Sequence, residues 1–287
     1  MLSKPHAVLG FFSLLFFIPG CDYSDRGNKY PDSEMYNFSS PNVVKLPQEL
    51  DEISGIAYYA KDTSLFAIID EGGDIYKFPI KDPKRLRKWK FDKKRDYEDL
   101  VLQDSTFYIM ESNGDLNKLT FKDNQFVNER VKIGSVSPGE NEFESIYAAP
   151  DSSFIVLMCK DCPEDSKKTL STYSYHYGDS SNQFQKHIVY DISTLHQKLG
   201  IEKRLHPSAA AINPITRDIY IISSIQKILL VLNSKGEFKT FYKLNPGIYK
   251  QPEGMAFTPN GDLIISNEFA EDGFANLLLI KNKMNKK

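Results

Sequence analysis

Asp96-Tyr97-Glu98-Asp99-Leu100-Val101, Glu142-Phe143-Glu144-Ser145-Ile146-Tyr147 and Gln251-Pro252-Glu253-Gly254-Met255-Ala256 share one pattern: a polar residue, a ring, an acid, a small or polar residue, then an apolar run. Glu52-Ile53-Ser54-Gly55-Ile56-Ala57 and His206-Pro207-Ser208-Ala209-Ala210-Ala211 keep the pattern with serine in place of the acid and, in the first, Ile53 in place of the ring. The motif returns about every 45 residues, a period typical of propeller arrays. Behind each copy come a turn and a second strand of stronger β character, at 65–69, 107–110, 154–158, 219–222 and 263–265.

Third strands are expected at 75–78 and 116–121, each after a glycine turn, and more polar fourth strands at 88–91, 129–133, 188–192 and 239–244. Four antiparallel strands per unit make a propeller blade, because one such sheet cannot bury both faces alone. Five motifs predict an all-β, five-bladed propeller. The long third interval, with its excess at 179–185 and a helix-like stretch at 194–202, is one blade with insertions or hides a degenerate sixth. The last unit stops after its third strand, at 276–280, and a strand at 43–46 precedes the first motif. Lending this N-terminal strand to the last blade closes the ring and removes two free edges.

The 287 residues carry 36 Lys+Arg against 38 Asp+Glu, so no basic excess is available for nucleic acid phosphates. A hydrophobic share of 41% is too high for a disordered chain, and three cysteines are too few for a disulfide-built scaffold. Lys4 and His6 precede an apolar stretch at 7–18, which is too short to span a bilayer and suits a secretory signal. Pro19-Gly20-Cys21 then resembles the lipobox of bacterial lipoproteins, although Pro19 stands where a small residue is usual. The expected organisation is a signal peptide at 1–20, lipid (palmitate) on Cys21, a flexible tether at 21–41, the propeller at 42–281 and a polar tail at 282–287. This describes a monomer held to a membrane of the bacterial cell envelope by its lipid, with the domain outside the cytoplasm.

In a propeller the chain crosses from the outer strand of one blade to the inner strand of the next at the channel mouth. Ser54, Glu98, Glu144, Ser208 and Glu253 are equivalent there, and Glu52, Asp96, Glu142, His206 and Gln251 lie two positions earlier. The turn after each second strand adds Asp70, Glu71, Glu111, Asn267 and Glu268. Converging carboxylates raise one another's pKa and need shared protons, a basic partner or a cation. An oxygen-only donor set favours calcium first and magnesium second, not zinc. The competing reading has the same residues capping turns beside ordered water.

In these motifs the chain resembles the SdiA-regulated, or YjiK-like, family of bacterial envelope proteins, from Leu46 to Ile280. The resemblance implies a five-bladed calcium-binding propeller, distantly related to NHL-repeat propellers and without an established activity. It makes Glu98, Glu144 and Glu253 the best metal ligands, with Ser145 replacing a glycine common in the family. A ligand-binding or interaction role is expected, its small molecule, glycan or protein ligand unknown. The alternative, by architectural analogy, is a calcium-dependent hydrolase of lactones, esters or phosphoesters using Glu98, Glu144 or Asp99 as base or nucleophile.

Cys159-Lys160-Asp161-Cys162 has redox-motif spacing, but the following Pro163 gives a turn rather than a helix, so a structural disulfide is expected. The stretch 81–95 holds nine basic residues around Trp89. It reads as a charged outer strand that discourages edge pairing, with binding to anionic headgroups or polysaccharide as the alternative.

Overall fold

The computed structural model describes residues 29–133, 141–148, 153–178, 184–200, 203–270 and 273–285. Among them the strands form five four-stranded antiparallel sheets. Blade 1 comprises β2 (Ile53–Tyr59), β3 (Ser64–Ile69), β4 (Asp74–Pro79) and β5 (Arg87–Lys90). Blade 2 is β6 (Tyr97–Gln103), β7 (Thr106–Glu111), β8 (Leu116–Lys122) and β9 (Gln125–Val131). Blade 3 is β10 (Glu142–Ala148), β11 (Phe154–Asp161), β12 (Thr169–His176) and β13 (Phe184–Asp191). Blade 4 is β14 (Ala209–Ile212), β15 (Ile219–Ser223), β16 (Ile228–Leu232) and β17 (Phe238–Lys243). In blade 5, β18 (Pro252–Phe257), β19 (Leu263–Asn267) and β20 (Asn276–Ile280) are completed by β1 (Asn42–Lys45), which pairs antiparallel with β20.

The protein is therefore a five-bladed propeller closed by its N-terminal strand. No sixth blade exists among the described residues. The long third interval is taken up by eight-residue strands β11 to β13 and by helix α1 (Ser193–Leu199), whose Leu195 is buried in the core.

The apolar core is divided among five clusters, each between two neighbouring blades. This explains the unbroken apolar runs of the middle strands. Ile219–Ser223, Ile228–Leu232 and Leu263–Asn267 are buried along their whole length because a blade covers each face. The outer strands β5, β9 and β17 have water on one side and lie largely at the surface.

The structure moves the boundary of the tether read from polar composition at 21–41. Tyr36 and Phe38 are buried against Tyr220, Tyr242 and Phe257 between blades 4 and 5. The Tyr36 hydroxyl donates to the Gly261 carbonyl (2.6 Å) and accepts from Asn213 Nδ2 (2.7 Å), while Tyr249 donates to the Phe38 carbonyl (3.0 Å). The expected polar tail also starts later than 282. Asn282 is buried, and the Lys283 N–H donates to the Met35 carbonyl (2.9 Å). The signal at 1–20 and Cys21 lie outside the described residues.

Candidate functional site

Every acid of the repeated motif occupies the same irregularity. In β6, Tyr97 pairs with Glu111 and Asp99 with Met110, so Glu98 falls outside the ladder. In β10, Phe143 pairs with Cys159 and Ser145 with Met158, which leaves out Glu144. In β18, Pro252 pairs with Asn267 and Gly254 with Ser266, which leaves out Glu253. A bulge of this kind re-aims one side chain. Here it turns three glutamates into the channel mouth.

They meet in a cavity of about 370 Å³ whose lining includes Glu52, Asp70, Asp96, Glu98, Glu142, Glu144, Glu253 and Glu268, with Lys160 its one cation. Lys160 is itself skipped on β11, where Glu142 pairs with Asp161 and Phe143 with Cys159. Its Nζ lies 2.7 Å from Glu144 Oε2. Cys159 and Cys162 are disulfide-bonded on either side of it, and Arg204 ion-pairs with Asp161 and donates to the Asp165 carbonyl (2.6 Å), fixing this loop at the rim.

The electrostatics follow from burial and crowding. Burial, then the charges of Glu144 and Asp96, pushes Glu98 up to about 9. Burial and Glu144 push Glu253 up to about 8. Asp70 rises to about 7 through burial and then its hydrogen bond and charge interaction with Asp96. Burial also raises Glu144, although Lys160 opposes the shift. Burial works against the Lys160 ammonium, but its pairing with Glu144 prevails and holds its pKa up.

Several expected members of the site are elsewhere. Asp99 is 3% exposed and accepts hydrogen bonds from the Leu100 N–H (2.8 Å), the Ile146 N–H (3.0 Å) and Ser145 Oγ (3.3 Å). It ties blade 2 to blade 3 and is closed to substrate. The contact depends on Gly55, where a Cβ would stand 2.7 Å from Asp99 Oδ1. Glu111 is held by Arg130 (2.6 Å) and Asn117 (2.9 Å), away from the cavity. Asn267 is buried and donates to the Ile248 carbonyl and Asn276. His206 is outside the lining, and burial lowers its pKa. Ser208 donates to the Pro252 carbonyl and Ser54 to the Tyr97 carbonyl, so both link neighbouring blades, although Ser54 also stays in the cavity lining. Gln251 holds Glu268 at 3.0 Å.

The lining offers carboxylate oxygens, the donor type a hard divalent cation takes. Among the described residues, the one group of three potential ligands within 4.8 Å is Cys159, Cys162 and Asp165, and its sulfurs are consumed by the disulfide. No three of the described carboxylates therefore converge on one point, although Asp70 and Asp96 share a hydrogen bond. In the sequence, Lys160 lies outside the repeated motif. Its one signal there is a charge placed directly after the apolar run 154–159.

A family model described as SdiA-regulated matches residues 42–270. The chain belongs to the SdiA-regulated family. Among solved structures, this SdiA-regulated protein is similar to a Myxococcus xanthus glutaminyl cyclase, at 10% identity and TM-score 0.55, covering 84% of this chain and 94% of that one. A Xanthomonas campestris gluconolactonase matches at 12% identity and TM-score 0.53, covering 85% and 90%. A luciferin-regenerating enzyme matches at 14% identity and TM-score 0.53, covering 85% and 96%. Likeness at these identities concerns the fold alone. No curated protein matches the sequence significantly.

Proposed function

We propose that this SdiA-regulated propeller is a calcium-binding protein of the bacterial cell envelope, tethered to a membrane through lipid on Cys21, with the channel mouth as its ligand-binding or interaction face. One observation carries the reading: eight carboxylates share one cavity with a single lysine. Glu98, Glu144 and Glu253, each projected by a bulge, would hold the ion by drawing inward from their separate places around the cavity, with Asp96, Glu142 and Glu268 around them. Bound there, calcium supplies the charge that lets these groups ionise together, and magnesium is the second choice. Lys160 pairs with Glu144, while burial and crowding keep Glu98 and Glu253 protonated at neutral pH until an ion displaces their protons.

The test is isothermal titration of chelator-treated protein with calcium. Saturable heat and a rise in the unfolding temperature are expected, both weakened by Glu253→Gln. Silence in both measurements at millimolar calcium removes the metal from the account.

A further inference from the structure

On the outer side of the ring, blades 1 and 2 enclose a second cavity of about 280 Å³. Its chemistry is opposite to that of the channel mouth. The floor is Phe66 and Phe107, both buried, with ring centroids 4.4 Å apart. Trp89 from β5 and Phe126 from β9 form a wall, edge to face at 5.7 Å. Phe121 stands directly across from Phe126 in the β8–β9 hairpin, 5.0 Å between centroids. That hairpin turns on Asp123 and Asn124, with φ of 51° and 64°, the primed two-residue turn that matches strand twist and holds the two rings in register. Phe121 nevertheless remains 50% exposed. A single exposed ring is ordinary, but one beside an aromatic concavity is the kind of apolar surface that marks a binding site.

The rim is cationic. The Arg87 guanidinium lies 4.7 Å over the Trp89 ring, and Lys61 Nζ lies 5.9 Å from the Tyr59 ring. Neither has a carboxylate partner among the described residues, whereas Lys77 is paired with Asp62 at 2.5 Å. Asp104 is the one acid in the lining. An apolar floor beneath two uncommitted cations selects a molecule with an apolar body and a negative head. The contact with Trp89 also preorganises Arg87 to pair with a planar carboxylate. The cavity is near the small end of ligand pockets, about 300–1,000 Å³, which suits one ring system or a short acyl chain.

We infer that this cleft binds a small amphipathic organic anion, its body against Trp89, Phe121 and Phe126 and its acid group on Arg87 and Lys61. The inference is independent of calcium. The two sites lie on different parts of the ring and take charges of opposite sign.

Trp89 is the only tryptophan in the chain, so its emission reports the cleft alone. The full chain is titrated with octanoate and 4-phenylbutanoate, then with the neutral alcohols 1-octanol and 4-phenylbutanol, and with phosphatidylglycerol vesicles. Saturable changes in Trp89 emission are expected with both acids, about tenfold weaker with the alcohols, since hydrogen bonds to a charged group supply that difference. Arg87→Gln and Lys61→Gln should each weaken acid binding by several-fold, to about tenfold, with the unfolding temperature unchanged. Phe121→Ala should weaken acids and alcohols alike. Equal binding of acids and alcohols, indifference to both charge substitutions, or a response confined to vesicles would overturn the assignment.

Discussion

Lys160 Nζ lies 2.7 Å from Glu144 Oε2, and both residues stand outside the β10–β11 ladder. Two bulges on paired strands thus bring a cation to one glutamate inside a ring of acids. Lys160 occupies charge that a divalent ion would otherwise compensate. Lys160→Met is expected to tighten calcium binding by about tenfold, on the scale of a partly buried ion pair, and to lower the stability of the metal-free protein at neutral pH. Calorimetry on the two proteins checks it, and equal affinities would mean that Lys160 does not compete.

The raised carboxyls impose a pH dependence. Glu98 and Glu253, at about 9 and 8 against an ordinary 4.5, keep protons in the folded state that the unfolded chain has already released. Metal-free protein should therefore lose stability as pH rises from about 4.5 to 9. Thermal unfolding in chelator should show this decline, Glu98→Gln should flatten it, and calcium should remove it. A melting temperature that rises over the same range would contradict the assignment.

Asp99 serves architecture. Asp99→Ala leaves the buried Leu100 and Ile146 N–H groups without their acceptor, at a cost of about 1–3 kcal/mol each. Urea unfolding should show that loss while the heat of calcium binding per folded molecule stays as in the native protein. Loss of calcium heat with stability intact would place Asp99 at the ion instead.

Blade number and ring closure were legible because one motif recurs at every crossing and a strand was left over at the start. Glu98, Glu144 and Glu253 were legible for the same reason. Glu111 and Asn267 were misplaced because they end strands beside a bulge, where a period of two no longer says which way a side chain points. Lys160 was hidden because the bulge that turns it inward exists only once β10 and β11 pair. Tyr36 and Phe38 were overlooked as two rings among polar neighbours, and what buries them lies about 200 residues away in sequence.

Tyr36 fills the seam between blades 4 and 5 from outside the repeats. Tyr36→Ala is expected to cost about 3–5 kcal/mol, the range for a large buried ring. Tyr36→Phe isolates the hydroxyl and should cost about 1–3 kcal/mol, because Asn213 Nδ2 loses its acceptor. Chemical denaturation of the two variants separates packing from hydrogen bonding.

Lipid attachment is checked by metabolic labelling with a palmitate analogue. The native chain should take up label and Cys21→Ser should not. Label surviving the substitution would place the lipid elsewhere on this chain, and absence of label from the native chain would mean that it carries none.

The pairing of β1 with β20 joins Asn42 to Leu279 and sets a schedule for folding. Blades 1 to 4 can each assemble from a contiguous segment as it emerges. Blade 5 has only three of its strands until the earliest one returns to it, so loop-closure entropy falls on a single late step. Until then the edge of β20, with its Leu-Leu-Leu-Ile run, is open to any other chain, and the rate of that final docking governs how long the young protein stays prone to self-association.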